Sequence, residues 1–131
     1  MYPELEKLYA LCFPDKQHKW TAKDFADLKQ SGCDIIVGQT GFVVWRNTLD
    51  DTEIISIGVV PDARRTGTAS AMIQMVKQDA KQNGVKNILL EVDEHNTPAI
   101  ELYKKCGFTN VGMRPHYYEN GHNAIIMKTA I

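Results

Sequence analysis

The 131-residue chain reads as an α+β fold built on a central mixed, mostly antiparallel twisted sheet flanked by helices, and three stretches predict it. Across residues 34–60, apolar runs follow one another with only short polar turns between them, the pattern of an antiparallel meander. Residues 52–93 then give a strand, an amphipathic helix and a second apolar strand, a βαβ unit. Beyond residue 109, two extended runs flank Glu119-Asn120-Gly121 as a closing hairpin.

Taken in order, Pro3 lies near the start of a first helix over residues 2–12. Its Leu5, Leu8 and Cys12 share a face, and Phe13-Pro14 stops it. Thr21, with Asp24 three residues on, forms a capping box for a short second helix carrying Phe25 and Leu28, and Gly32 ends it. Residues 34–37 and 42–46 are strands joined through Gly38-Gln39-Thr40-Gly41, with Trp45 a packed aromatic. A polar turn over residues 47–51 leads into the strand 52–60. The helix over residues 70–83 buries a stripe of Ala69, Met72, Ile73, Val76 and Ala80, with its methionines as core filler. Lys77, Gln78, Lys81 and Gln82 face water, and Gly84 ends the helix. Ile88-Leu89-Leu90-Glu91-Val92 reads as a compact buried strand. Asn96-Thr97-Pro98 opens another helix, which places Ala99, Leu102, Tyr103 and Cys106 on one face and closes at Gly107. The final hairpin pairs residues 109–118 with 124–128. No linker, repeat or low-complexity tract interrupts the chain, so a single domain over residues 1–131 is expected.

Hydrophobic residues make up 44% and charged residues 24%, ordinary for a soluble globular protein. Fifteen basic against sixteen acidic residues leave a net charge of −1, which makes no electrostatic case for nucleic acid or an anionic membrane as partner. No apolar run approaches the ~20 residues of a membrane span. The N-terminus lacks a signal-peptide pattern, so a cytoplasmic location is expected. Cys12, Cys33 and Cys106 form neither a disulfide framework nor a zinc spacing. His18, His95, His116 and His122 show no metal-ligand spacing either, and solvated or structural roles are expected for them. Cys106, at a helix end just before Gly107, reads as a packing residue rather than a nucleophile.

The junction between the strand ending at Val60 and the following helix carries the chemistry. It reads Pro61-Asp62-Ala63-Arg64-Arg65-Thr66-Gly67-Thr68-Ala69. A glycine-bearing turn at a helix start leaves several backbone N–H groups unpaired and pointing one way, and the helix dipole adds partial positive charge there. Such a place suits a phosphate, and a glycine lets the anion approach closely. Thr68-Ala69 after the glycine fails the P-loop requirement for Lys-Ser or Lys-Thr, and a lone Gly67 fails the dinucleotide fingerprint. The pattern (Gln/Arg)-x-x-Gly-x-(Gly/Ala) is met by Arg64, Gly67 and Ala69. That pattern resembles the pyrophosphate loop of the GNAT superfamily of acetyl-CoA-dependent N-acetyltransferases.

From Ser56 onward the resemblance narrows to the ribosomal-protein-alanine N-acetyltransferases (RimI type). It is carried by Ile57-Gly58-Val59-Val60-Pro61-Asp62, the Arg64 to Ala69 loop, Leu90-Glu91-Val92 and Asn96. Further on come Ala99-Ile100-Glu101-Leu102-Tyr103, Gly107-Phe108, Arg114 with Tyr117-Tyr118, and Ala124-Ile125-Ile126-Met127. Order and spacing agree over more than half of the chain. The family has a strand before its first helix, whereas this sequence is expected to start inside that helix, the first family strand being absent. Residues 13–20 match poorly, in a region that shapes acceptor choice in such enzymes.

The resemblance implies acetyl-CoA as co-substrate. The backbone of Ile57, Gly58 and Val59 would pair with its pantetheine arm. Arg64, Arg65, Thr66, Gly67, Thr68, Ala69 and Ser70 would hold the pyrophosphate, and Asn96 would contact the cofactor. Acetyl transfer needs a neutral amine, and an α-amino group with a pKa near ~8 is mostly charged at neutral pH. A general base is therefore useful. Glu91, a carboxylate inside an apolar strand, is the candidate, and Glu53 on the preceding strand is its rival. Tyr103 is the proposed acid for the leaving thiolate, and Arg114, Tyr117 and Tyr118 are assigned to the acceptor. Neither a metal nor a covalent cysteine intermediate is required. The expected partner is a protein N-terminus or a small amine, with no nucleic acid or membrane, and the expected state a monomer or weak dimer. A CoA-binding module without catalysis is the alternative of a different class.

Overall fold

The structure, a computed structural model, describes residues 2–131. Its elements are α1 (Tyr2–Cys12), α2 (Ala22–Gln30), β1 (Asp34–Val37), β2 (Gly41–Asn47), β3 (Asp51–Val59), α3 (Thr68–Gln82), β4 (Asn87–Asp93), α4 (Thr97–Lys105), β5 (Thr109–Arg114) and β6 (Ala124–Ala130). The six strands form one sheet in the order β1-β2-β3-β4-β6-β5. The residues fall into two compact units: those up to Arg46 together with Ile55–Met75, and Asn47–Ile54 together with Val76–Ile131.

In the first unit, α1 covers the predicted residues and buries Leu5, Leu8, Tyr9 and Cys12. The capping box of α2 forms as expected. Thr21 Oγ1 accepts the Asp24 amide, and Asp24 Oδ2 accepts the Thr21 amide at 2.8 Å. The two helices bury an aromatic cluster around Tyr9. Its ring stacks on Trp20 at 5.1 Å and meets Phe25 and Phe42 at 6.0 and 5.8 Å. The Tyr9 hydroxyl, unable to reach water, accepts a hydrogen bond from Lys16 Nζ at 3.1 Å. β1 and β2 form the predicted hairpin, registered from Asp34↔Trp45 to Val37↔Phe42. Gly58 is where backbones and rings crowd: a Cβ there would stand 2.9 Å from the Phe42 ring and 3.0 Å from Cys12 Cβ.

In the second unit, β3 and β4 pair in parallel from Asp51↔Asn87 to Ile54↔Leu90, the βαβ unit that the sequence predicts. β4 then pairs antiparallel with β6 along its whole length, and β6 with β5. β4 alternates rather than being buried on both faces. Ile88, Leu90 and Val92 enter the core, while Leu89, Glu91 and Asp93 are only partly covered on the other side. Thr52 is fully buried and donates to Asn47 Oδ1, whose amide nitrogen donates to Asp79 Oδ2 at 3.1 Å.

Four further expectations are corrected. The helix expected over residues 70–83 begins two residues earlier, because the Gly67 carbonyl accepts the Ala71 amide at 3.0 Å. Its stripe is buried at Met72, Ile73, Val76 and Ala80 as expected, but Met75, expected as core filler, is 50% exposed. Lys77 leaves the wet face and donates to the Cys106 carbonyl at the end of α4, where a helix offers unpaired acceptors. The strand expected to reach Tyr118 stops at Arg114. Pro115 has no N–H to continue the ladder and His116 turns the chain with φ 51°, so Tyr117 and Tyr118 lie in the connection to β6. Among the described residues, no helix is long and apolar enough to cross a membrane.

Candidate active site

The loop between β3 and α3 has the geometry an anion needs. One 3₁₀ turn, Pro61–Ala63, leads to Arg65 at φ 65° and Gly67 at φ 88°. These left-handed positions fold the chain sharply into α3. The amides of Thr68 and Ala69 stand ahead of the first helical bond, from Ala71 to Gly67. Nothing lies within 4 Å of the place a Gly67 Cβ would take, so the mouth of the loop is open. Thr66 and Thr68 pair through their hydroxyls at 3.0 Å, and Arg65 is exposed. Arg64 points elsewhere: its Nε donates to the Val59 carbonyl at 3.1 Å and its Nη2 to the Cys12 carbonyl at 2.8 Å. Ile57, Gly58 and Val59 form the end of β3, and the next amide, of Val60, bonds to the Thr40 carbonyl at 2.8 Å.

In the second unit, Glu91 on β4 is the centre of a charged group. Its carboxyl is only 18% exposed, and Oε1 meets Arg114 Nη2 at 3.2 Å. Oε2 is buried without a hydrogen-bond partner. Burial pushes the acid above the ordinary carboxylate range. Arg114 opposes that rise, and the charge of Glu53 adds to it. Glu53 itself is exposed, opposite Leu89 in the parallel register. The Arg114 guanidinium also sits 5.0 Å over the Tyr117 ring, and Tyr117 meets Tyr118 edge-on at 5.1 Å. The Tyr118 phenol is held well above its usual value by burial, then by the charges of Glu91 and Asp93. Glu91, Arg114, Tyr117 and Tyr118 thus come together as one constellation.

Tyr103 faces the core from α4, 7% exposed and edge-on to Phe108 at 6.0 Å. Burial pushes its phenol up to about 12, so it stays protonated and keeps its O–H to donate. Asn96 caps α4, its Oδ1 accepting the Ala99 amide at 3.3 Å. Cys106 ends that helix, its amide bonded to the Leu102 carbonyl at 3.0 Å.

The sequence pattern of the acetyltransferase (GNAT) family matches residues 2–108. The chain belongs to the GNAT acetyltransferase family. The [ribosomal protein bS18]-alanine N-acetyltransferase of Escherichia coli is 30% identical to this acetyltransferase over 125 residues, covering 86% of this chain and 81% of that one. An N-alpha-acetyltransferase of Sulfurisphaera tokodaii is 39% identical over 75 residues, covering 56% of this chain but only 45% of the archaeal one. The crystal structure of a ribosomal-protein-alanine N-acetyltransferase from Escherichia coli superposes with a TM-score of 0.85 at 26% identity, covering 99% of this chain and 87% of that one. The co-substrate of this acetyltransferase is acetyl-CoA. The open mouth at Gly67 and the leading amides of α3 fit its pyrophosphate.

The sequence of this GNAT enzyme hid one group of residues beside the constellation. Asp93, two positions after Glu91 on the same side of β4, accepts from the ring of His122 at 2.9 and 3.0 Å, from the His95 amide at 2.9 Å and from Asn120 Nδ2 at 3.3 Å. Glu94 accepts the Asn123 amide at 2.5 Å. The spacing of Asp93 from Glu91 marks a shared face, but nothing in the sequence pairs it with a histidine 29 residues away.

Proposed function

We propose that this acetyltransferase acetylates the N-terminal α-amino group of a protein, of the ribosomal-protein-alanine type, with Glu91 as general base. The observation that carries the reading is the largely buried Glu91 side chain, with an unpartnered carboxyl oxygen, beside Arg114, Tyr117 and Tyr118. A carboxyl raised by burial takes a proton from an ammonium group more readily than an ordinary one does. The neutral amine then attacks the thioester carbonyl, the C–N bond forms, the C–S bond breaks and the nitrogen gives up its extra proton to solvent. The loop from Arg65 to Ser70 holds the pyrophosphate, the backbone of Ile57 to Val59 takes the pantetheine arm, and Asn96 adds a contact to the cofactor.

Tyr103 serves the leaving sulfur as a hydrogen-bond donor. Burial holds the phenol above its ordinary value, which disfavours full transfer of its proton to the departing thiolate. The phenol therefore stabilises the departing charge, and the sulfur takes its proton from solvent.

Tyr117 and Tyr118 supply aromatic surface along which a peptide backbone can lie, contact that a small amine has no length to use. Remote contacts of this kind orient the amine for attack. The test compares an Ala-initiated hexapeptide, free alanine and spermidine with the wild-type enzyme and Tyr117→Ala. The peptide is expected to be the most efficient acceptor, and Tyr117→Ala to raise its Michaelis constant. Equal efficiency on all three acceptors, or preference for spermidine, overturns the assignment in favour of a small amine.

A further inference from the structure

Residues 115–123 are tied to the end of β4 by a seam of polar contacts. The His122 imidazole bonds both oxygens of Asp93 and stacks on the ring of His95 at 4.1 Å, with the planes 15° apart. Next to it, Glu94 and Asn123 exchange two bonds: Glu94 Oε2 accepts the Asn123 amide, and the Asn123 carbonyl accepts the Glu94 amide at 3.0 Å. Asn123 Oδ1 in turn accepts the His116 amide at 2.9 Å, one residue before Tyr117. The groups facing His122 are therefore the Asp93 carboxylate, the His95 imidazole and the Glu94 carboxylate from the end of β4 and the turn after it. His116 and Glu119 belong to its own segment. Hydrogen bonds from the His95 amide, from His122 and from Asn120 outweigh burial and hold the Asp93 carboxyl below its ordinary value, so it is a carboxylate at working pH.

We propose that His122 is a positioning residue for the acceptor: clasped to Asp93, it holds residues 115–123, and with them Tyr117 and Tyr118, beside Glu91. The acceptor half of this statement rests on the proposed function above; the clasp does not. A hydrogen bond to an ionised acceptor is roughly twice as strong as one between neutral groups, so the Asp93 carboxylate makes the clasp a firm one.

The test is amide hydrogen exchange of residues 116–123 in the full chain without substrate, corrected for intrinsic rates. His122→Gln loses the imidazole and its stacking on His95, and its residues 116–123 are expected to exchange roughly fivefold faster than those of the wild type, the usual net worth of a hydrogen bond. His122→Ala is expected to lose at least as much. Wild-type protection in both variants overturns the clasp. Kinetics add the acceptor half. At about pH 6, His122→Gln is expected to raise the peptide KM roughly fivefold, with kcat within about twofold and the acetyl-CoA KM unchanged. An unchanged peptide KM overturns the positioning role. A wild-type enzyme inactive on peptide refutes the acceptor reading alone, and the exchange data still decide the clasp.

Discussion

Replacing Gly67 by Asp places a carboxylate at the mouth of the loop proposed to hold the pyrophosphate. Two costs must be separated. The left-handed φ of 88° strains any L-residue by about 1–2 kcal/mol, and Asn carries that cost as Asp does. No atom lies within 4 Å of the new Cβ, so neither substitution clashes. The remaining difference between Gly67→Asp and Gly67→Asn is one negative charge close to the pyrophosphate. At about 4 Å that repulsion ranges from about 1 kcal/mol in bulk water to about 4 kcal/mol near a protein surface. For this exposed loop about 2 kcal/mol is appropriate, or roughly thirtyfold in Kd. Titration calorimetry of acetyl-CoA into both variants measures the ratio directly, and added salt is expected to shrink it. If the two folded variants bind acetyl-CoA within about twofold of each other, the pyrophosphate does not sit at this loop.

Glu91→Gln is expected to lower turnover ~10²–10⁴-fold with acetyl-CoA affinity intact, while Glu53→Gln stays active; the reverse pattern moves the base to Glu53. The same variant is expected to hold its thermal midpoint at pH 8 or raise it. Glu91 has its folded pKa above the unfolded one, so its contribution to stability is fullest in acid and lost as pH rises through the folded value. A clear loss of stability at pH 8 would contradict that sign. Arg114→Gln removes the charge that opposes the rise at Glu91, so the acid limb of kcat/KM is expected to move to higher pH; an unmoved limb separates Arg114 from the base. Gly58→Ala drives a methyl into the Phe42 ring and Cys12, and about 1–3 kcal/mol should be lost in urea unfolding. A loss below about 0.5 kcal/mol would mean that the neighbours yield freely.

Local chemistry was legible in the sequence wherever neighbours along the chain decide the structure. The extent of α1, the reciprocal cap at Thr21 and Asp24, and the hairpin through residues 38–41 follow from contacts a few residues apart. Glu91 stood out because a charge in an apolar strand must face something. What stayed hidden was set by partners far away. Lys77 reaches a carbonyl 29 residues on, and Arg64 one 52 residues back. A long side chain with an exposed base has no periodicity to betray where its tip goes. Pro115 was a visible stop signal, and the run of strand-forming residues around it concealed its effect on Tyr117 and Tyr118.

The Arg64 guanidinium joins the last carbonyl of α1 to the last carbonyl of β3, immediately before the loop begins. A segment pinned at its root surrenders its conformational freedom when the chain folds, leaving little to lose on meeting a ligand. Preorganisation of this kind appears in calorimetry as a smaller entropic penalty and in kinetics as capture without a slow rearrangement. Arg64→Ala would hand that penalty back to the binding step: the loop's amides would all remain, yet each encounter would have to assemble them anew.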